Sequence, residues 1–500
     1  MRLTFLLAPL ALVLVSAAAL AQAPGPHPPD PSSAEAQRAG QRGDAPPPLP
    51  PDAVSHQTLE LPGRTLHFTA TAGTIHVVND RGAGQADVTF VAFQQEDADH
   101  RTRPVTFVFN GGPGMASGWL DVGAVGPWRV ELTTPSGPSD PQPNAETWLD
   151  FTDLVFIDPP DTGYSRVVTT NEDARRRIFS VAGDVDLLAE TVRRWLDRAD
   201  RNTSPKYLLG ESYGGFRGPR LARRLESQQG VGLSGMVLLS PLLDTNVESG
   251  FANPFSVVDR LPSIVAAARA KHGPVTRADL ADVERYAATD YLADFLRGLG
   301  DHAAVDRMSE RVAALTGLDP ALVRRYRGRL DIDVALHELD RADLRVGSVY
   351  DATITSADPF PDQPLSNYPD PVLEGFKPVV TMAMMTIYHR IGWQPEAVYH
   401  LSDDGVFERW DWGSGMDRPQ SVSQLQAALA LDPRLKVLIA HGLFDLRTPY
   451  FTNLRLIRQL ADLGGGQRLK LVAYPGGHMF YSDQASRAAL HEDARALLGQ

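Results

Sequence analysis

The chain of 500 residues contains no cysteine. That excludes any disulfide and any lipid-modified N-terminal cysteine. Basic charge is also scarce: 48 Lys and Arg stand against 61 Asp and Glu, a formal −13. Such a balance argues against a nucleic-acid surface and otherwise bears on solubility. Beyond the N-terminal segment no run reaches about eighteen uninterrupted apolar residues, so nothing later should span a bilayer. There is no H-E-x-x-H zinc pattern and no internal repeat.

What is present begins with an export signal. Met1-Arg2 is a short basic start, Leu3 to Val15 is apolar, and Ser16 to Ala21 supplies small residues ending in an A-x-A-like site. Residues 1–21 are therefore expected to be a signal peptide and Gln22 the mature start, with the formal charge moving to −14 as Arg2 leaves. A membrane anchor is the competing reading, disfavoured by the short apolar core and by Pro9 within it. Export to a periplasm or the extracellular space follows, with no membrane span left after cleavage. Residues 22–54 are rich in Pro, Ala, Gly and Ser and include Pro46-Pro47-Pro48-Leu49-Pro50-Pro51, a composition that reads as a disordered linker.

From Ser55 to Gln94 polar and apolar residues alternate, as in antiparallel edge strands. The pattern then changes to short continuous apolar runs: Val105–Phe109, Leu154–Ile157, Tyr207–Leu209, Met236–Leu239, Val437–Ala440 and Leu469–Ala473. Helical stretches separate them, among them Val185–Arg198, Phe451–Leu463 and Gln484–Leu498. Strands buried on both faces and alternating with helices predict an α/β fold with a mostly parallel, doubly wound sheet. Between about Asn246 and Leu373 the strand pattern lapses, and Asp279–Leu299 and Ala303–Arg327 show helical spacing. The expected organisation is a core in two parts, 55–245 and 374–500, with a helical cap insertion at 246–373.

Gly210-Glu211-Ser212-Tyr213-Gly214 lies between an apolar strand and a helix, which is the nucleophile-elbow arrangement G-x-S-x-G. A serine needs a base to take its proton, and the base needs an orienting group. Asp445 follows the run Val437–Ala440 and His478 follows Leu469–Ala473, in the chain order Ser, Asp, His. Alone, an Asp after a strand is usually a cap and a His after two glycines a solvated loop residue. Together behind an elbow they make a candidate triad of Ser212, Asp445 and His478. His441 competes with His478 but precedes Asp445, and reads as support for its loop. Asn110-Gly111-Gly112-Pro113-Gly114 ends another strand; glycines there can expose amides to an oxyanion, although such a cluster alone is often a plain turn.

Asn110 with Gly111-Gly112-Pro113-Gly114, Gly210-Glu211-Ser212-Tyr213-Gly214-Gly215, the Asp445 and His478 segments, and Phe156 to Ser165 together resemble the serine carboxypeptidases of the α/β-hydrolase superfamily. Gly126-Pro127 adds to the likeness, which runs from about Val105 to Tyr481. The resemblance implies an α/β-hydrolase fold, oxyanion amides from Gly112 and Tyr213, and a substrate carboxylate held by Asn110, Gly111 and a protonated Glu211. It places Met479 in the leaving-group pocket, with a core methionine as the close alternative. The substrate would be a peptide with a free C-terminus, and no metal or organic cofactor is needed. The chain departs from the pattern at Ala124, where many members carry a second glutamate, and at Met115 and Ala116, where Cys and Ser are usual. An esterase or acyltransferase with the same triad is the alternative, and a non-catalytic extracytoplasmic binding protein is a third.

Overall fold

The computed structural model describes residues 48–499 apart from 133, 248–252, 366, 414–418 and 464–467. The expected signal peptide and nearly all of the expected linker lie outside the described residues. The end of that linker does not: Leu49 packs on the core, and the Trp393 indole N–H donates to the Pro51 carbonyl at 3.1 Å. The first strand starts at Ala53, inside the span assigned to the linker, because its alternating pattern continues two residues further than Ser55.

Nine strands make the main path of the sheet: β1 (Ala53–Leu61), β2 (Arg64–Val78), β3 (Gly84–Gln95), β4 (Val105–Phe109), β5 (Asp153–Ile157), β6 (Lys206–Glu211), β7 (Gly235–Leu239), β8 (Lys436–Gly442) and β9 (Leu469–Tyr474). Their spatial order is β1-β2-β3-β5-β4-β6-β7-β8-β9, with Arg166–Val167 pairing beside β3. β1 to β3 are antiparallel, β3 meets β5 antiparallel, and every pair from β5 to β9 is parallel. This is the α/β-hydrolase arrangement, with the chain reversing direction across the sheet between β4 and β6.

Alternation along the buried strands explains how one sheet serves two cores. Val108, Leu154, Leu209, Val237 and Leu438 face one core, which also takes helix Leu373–Ile391 and helix Gln484–Leu498. Phe107, Val155, Leu208, Leu238 and Ile439 face the other, with Val192, Trp195 and Leu221 from helices α1 (Val181–Arg198) and α2 (Tyr213–Arg224). Helix α1 begins where Ser180 Oγ accepts the Gly183 N–H at 3.1 Å, satisfying one of the free amides of its first turn.

The insertion between β7 and β8 has its own core, in which Val265, Val283, Val312 and Val334 meet Leu443, Phe444 and Phe451. Of the two long helical stretches expected there, the first is helical throughout from Arg277 to Arg297 and the second is broken. Gly298 (φ 83°) ends the first, and Gly317 (φ 72°) with Pro320 splits the second into His302–Thr316 and Pro320–Arg325. A small hairpin, Arg345–Gly347 with Thr355–Ala357, also falls within a span where no strand was expected. The helix expected at Phe451–Leu463 runs from Tyr450 to Ile457. Among the described residues no helix is long and apolar enough to cross a membrane.

Candidate active site

Register brings the candidate residues together. Phe109 pairs with Gly210, Glu211 with Leu239, Leu239 with Ala440, and Gly442 with Tyr474. The loops that follow these partners, carrying Asn110, Ser212, Asp445 and His478, therefore leave one edge of the sheet side by side.

Ser212 has φ 58° and ψ −118°, a conformation that costs a non-glycine residue about 1–3 kcal/mol. Its amide donates to Leu239 O at 2.9 Å and its carbonyl accepts from Leu242 N at 3.1 Å, so β7 and its exit hold the turn. The surrounding glycines are required by space. A Cβ on Gly210 would overlap the Gly214 carbonyl, and one on Gly214 would meet Phe109 O at 2.5 Å. Gly111 fits against the elbow, where a Cβ would come within 2.7 Å of Tyr213 N and 2.8 Å of Ser212 Cβ. The Tyr213 amide nitrogen thus lies against Gly111.

His478 and Asp445 are buried, with His478 Nδ1 2.8 Å from Asp445 Oδ2. The other carboxylate oxygen accepts the Arg447 and Thr448 amides at 2.8 and 3.0 Å. Burial alone would raise the Asp445 pKa, but the His478 charge and these bonds outweigh it and hold the carboxyl below its usual range. Burial likewise pulls His478 down, yet Asp445, helped by Glu211, leaves it raised overall. His441 differs: buried against the Asn453 amide nitrogen at 2.9 Å, it is driven down to about 4 and stays neutral.

Asn110 and Glu211 meet at the floor. The Asn110 amide Nδ2 donates to Glu211 Oε1 at 3.3 Å, while Asn110 Oδ1 accepts the Gly111 N–H at 2.6 Å. Glu211 is fully enclosed, and burial raises its pKa against the opposing pull of His478, Tyr481 and Asn110. A cavity of about 360 Å³ opens above these groups, lined by Asn110, Gly112, Glu211, Ser212, His478 and Met479. Met479 lines this cavity and is also part of the adjoining core. Ala124 is buried in the turn Asp121–Val125, and Met115 lines the cavity mouth.

Several neighbours were not singled out from sequence. Thr448 Oγ1 donates to Asp445 Oδ2 at 2.8 Å and lies 3.0 Å from His478 Nδ1. Ser240, at φ 41°, donates through Oγ to the His478 carbonyl at 2.8 Å. The Tyr350 ring stands edge-on to His478 at 5.4 Å, and Arg447, Asp403 and Phe407 complete the walls. Arg217 is buried in the elbow helix on Asp184. Thr448, three residues beyond Asp445, was the most findable, since a hydroxyl there closes the turn that the aspartate starts. Tyr350 and Asp403 come from distant segments with no local signal.

Residues 62–272 match the family model described as serine carboxypeptidase. The pheromone-processing carboxypeptidase KEX1 of Yarrowia lipolytica is 30% identical over 148 residues, 28% of this chain and 22% of that protein. Serine carboxypeptidase-like 17 of Arabidopsis thaliana is 27% identical over 39% of this chain and 46% of its own length. The chain thus spans less than half the length of these relatives. Among solved structures, a proline iminopeptidase of Mycobacterium smegmatis aligns over 89% of this chain and 99% of its own at 13% identity, with a TM-score of 0.34.

Proposed function

We propose that this chain, related to the serine carboxypeptidases through residues 62–272, is an exported hydrolase that removes residues from the C-termini of peptides. The observation that carries the reading is the convergence of Ser212, the Asp445–His478 pair and the Asn110–Glu211 pair on one cavity. The first set supplies acyl-transfer chemistry, and the second supplies a recognition point for a terminal carboxylate beside it.

In this mechanism Ser212 Oγ attacks the scissile carbonyl carbon as its proton passes to His478 Nε2. Asp445 keeps Nδ1 protonated and steadies the imidazolium. The amides of Gly112 and Tyr213 receive the oxyanion. Collapse breaks the C–N bond, and His478 returns the proton to the departing amine. Water activated by His478 then releases the acyl group from Ser212. Asn110 Nδ2 and protonated Glu211 would hold the substrate carboxylate, with Met479 beside the leaving residue. Gly111 would join them only by exchanging Asn110 Oδ1 for the substrate, since that oxygen now takes its N–H. The buried, apolar Ala124, where many carboxypeptidases of this kind carry a second glutamate, favours a second reading, an esterase or acyltransferase on the same triad.

The test is to incubate the purified chain with a mixed peptide pool and follow the products by mass. Loss of single residues from free C-termini, and not from amidated peptides, is expected. Turnover of simple esters with no peptide trimmed would give the reaction to the second reading. Failure of a fluorophosphonate to label Ser212 would remove both.

A further inference from the structure

Two buried polar atoms beside the cavity have no hydrogen-bond partner among the described residues: Glu211 Oε2 and the Tyr481 hydroxyl. They are neighbours, each side chain acting on the other's ionisation. Tyr481 is fully enclosed, and burial followed by the charge of Glu211 pushes its hydroxyl well above the usual range. The ring packs over Gly123, where a Cβ would lie 3.4 Å from its edge, and the Tyr481 carbonyl accepts Arg487 Nη1 at 2.8 Å. The tyrosine is therefore held in place, while its hydroxyl remains adjustable. Buried orphans of this kind are rare, and an adjacent donor and acceptor satisfy one another with a small rotation.

We propose that Tyr481 is a positioning residue for substrate recognition: its hydroxyl pairs with Glu211 Oε2 and sets the pH up to which Glu211 keeps the proton it needs to bind a peptide carboxylate. The inference rests on the reading of Glu211 given above. When Glu211 is charged, the phenol donates to Oε2, a charge-assisted bond. When Glu211 is neutral, the acid proton on Oε2 points to the phenol oxygen or to the substrate. The first bond is the stronger, so Tyr481 favours the charged form and lowers the pH at which Glu211 ionises. The other titratable groups facing Glu211 are His478 from the same loop, Asp445 from the loop after β8 and Tyr350 from the insertion. All three remain when only the Tyr481 hydroxyl is removed.

The experiment compares KM against pH for a blocked dipeptide with a free C-terminus and for its ester, in the unaltered chain, Tyr481→Phe and Glu211→Gln. Tyr481→Phe should move the rise in peptide KM upward by about one pH unit, the shift a single charge-assisted hydrogen bond supports. The ester profile should keep its midpoint, because it follows His478. Replacing Tyr481 with 3-fluorotyrosine, a stronger donor of nearly the same shape, should move the peptide midpoint down and covers the case of a misfolded Tyr481→Phe. If Glu211→Gln flattens the peptide profile while neither change at Tyr481 moves it, the Tyr481 inference is overturned and the role of Glu211 stands. If Glu211→Gln leaves the profile unchanged, both fall.

Discussion

Arg217 and Asp184 form an ion pair with Nε 2.7 Å from Oδ2, both side chains about 1% exposed. It joins the elbow helix α2 to α1, and Arg217 Nη1 also donates to Asn110 O at 2.8 Å, so one guanidinium ties the serine turn to the glycine loop. The guanidinium further stacks over the Tyr213 ring at 5.0 Å. Burial raises the Asp184 pKa, and the Arg217 charge works against that.

Arg217→Met is therefore expected to destabilise the fold by about 3–5 kcal/mol, because it strands a buried carboxylate. Restoring neutrality with Asp184→Leu in the same chain should recover part of that loss. Denaturant unfolding of the single and double variants measures both effects, and additive losses would show that the pair is not coupled.

Ser212→Ala and His478→Ala should each lower the catalytic rate by about 10⁶, with the double variant little worse, because residues of a triad act as a unit. Asp445→Asn should cost about 10⁴ by favouring the wrong imidazole tautomer. Single-turnover kinetics on folded protein checks these values. A small loss at Asp445 would transfer the orienting role to another group near His478.

Gly111→Ala is expected to abolish most activity while leaving the far side of the sheet intact. Its methyl would fall within 2.7 Å of the Tyr213 amide and 2.8 Å of Ser212 Cβ, which are backbone and elbow atoms that cannot rotate away. Fluorophosphonate labelling rates for the variant, alongside its circular dichroism, separate a displaced amide from a lost fold. Normal labelling would mean that the elbow tolerates the shift.

Stability should fall as pH rises toward neutrality. Asp158 is buried on the Ser117 amide at 2.8 Å, and burial, only partly opposed by Ser117 and Tyr388, raises its pKa from 3.8 to about 7. The folded chain therefore keeps a proton that the unfolded chain releases between about pH 4 and 7. Over that window the proton contributes stability that is progressively lost, up to about 4 kcal/mol in all. Asp121, buried nearby and also raised by burial and by Asp158, acts in the same direction. Asp158→Asn keeps an acceptor for Ser117 and should flatten the difference in Tm between pH 4.5 and 7.5. An equal difference in the variant would mean that Asp158 does not titrate in that range.

Much of the fold is local chemistry and was readable from the chain alone. β4 matches the run Val105–Phe109 at both ends, and helix Gln484–Leu498 also has the bounds that its spacing predicts. Continuous apolar runs dictate strands because both faces of the sheet are covered, and chain order dictates which loops leave its carboxyl edge. The candidates Ser212, Asp445 and His478 could be picked out for that reason: each lies in the loop or turn that follows such a strand.

The tertiary structure decided what depends on residues far apart in the chain. The break in the second helical stretch of the insertion follows from Gly317 adopting a left-handed turn, which an apolar spacing does not record. The charge state of Glu211 depends on burial, which raises its pKa, set against His478, Tyr481 and Asn110, which lower it and reach it from separate loops. The walls of the cavity, Tyr350, Asp403 and Phe407, come from segments whose local sequence fits ordinary turns and helices. Sequence determined which loops carry the candidate residues because strand and turn propensities act over a few residues; packing determined their charge states and the shape of the cavity because desolvation and contact arise only once distant segments meet.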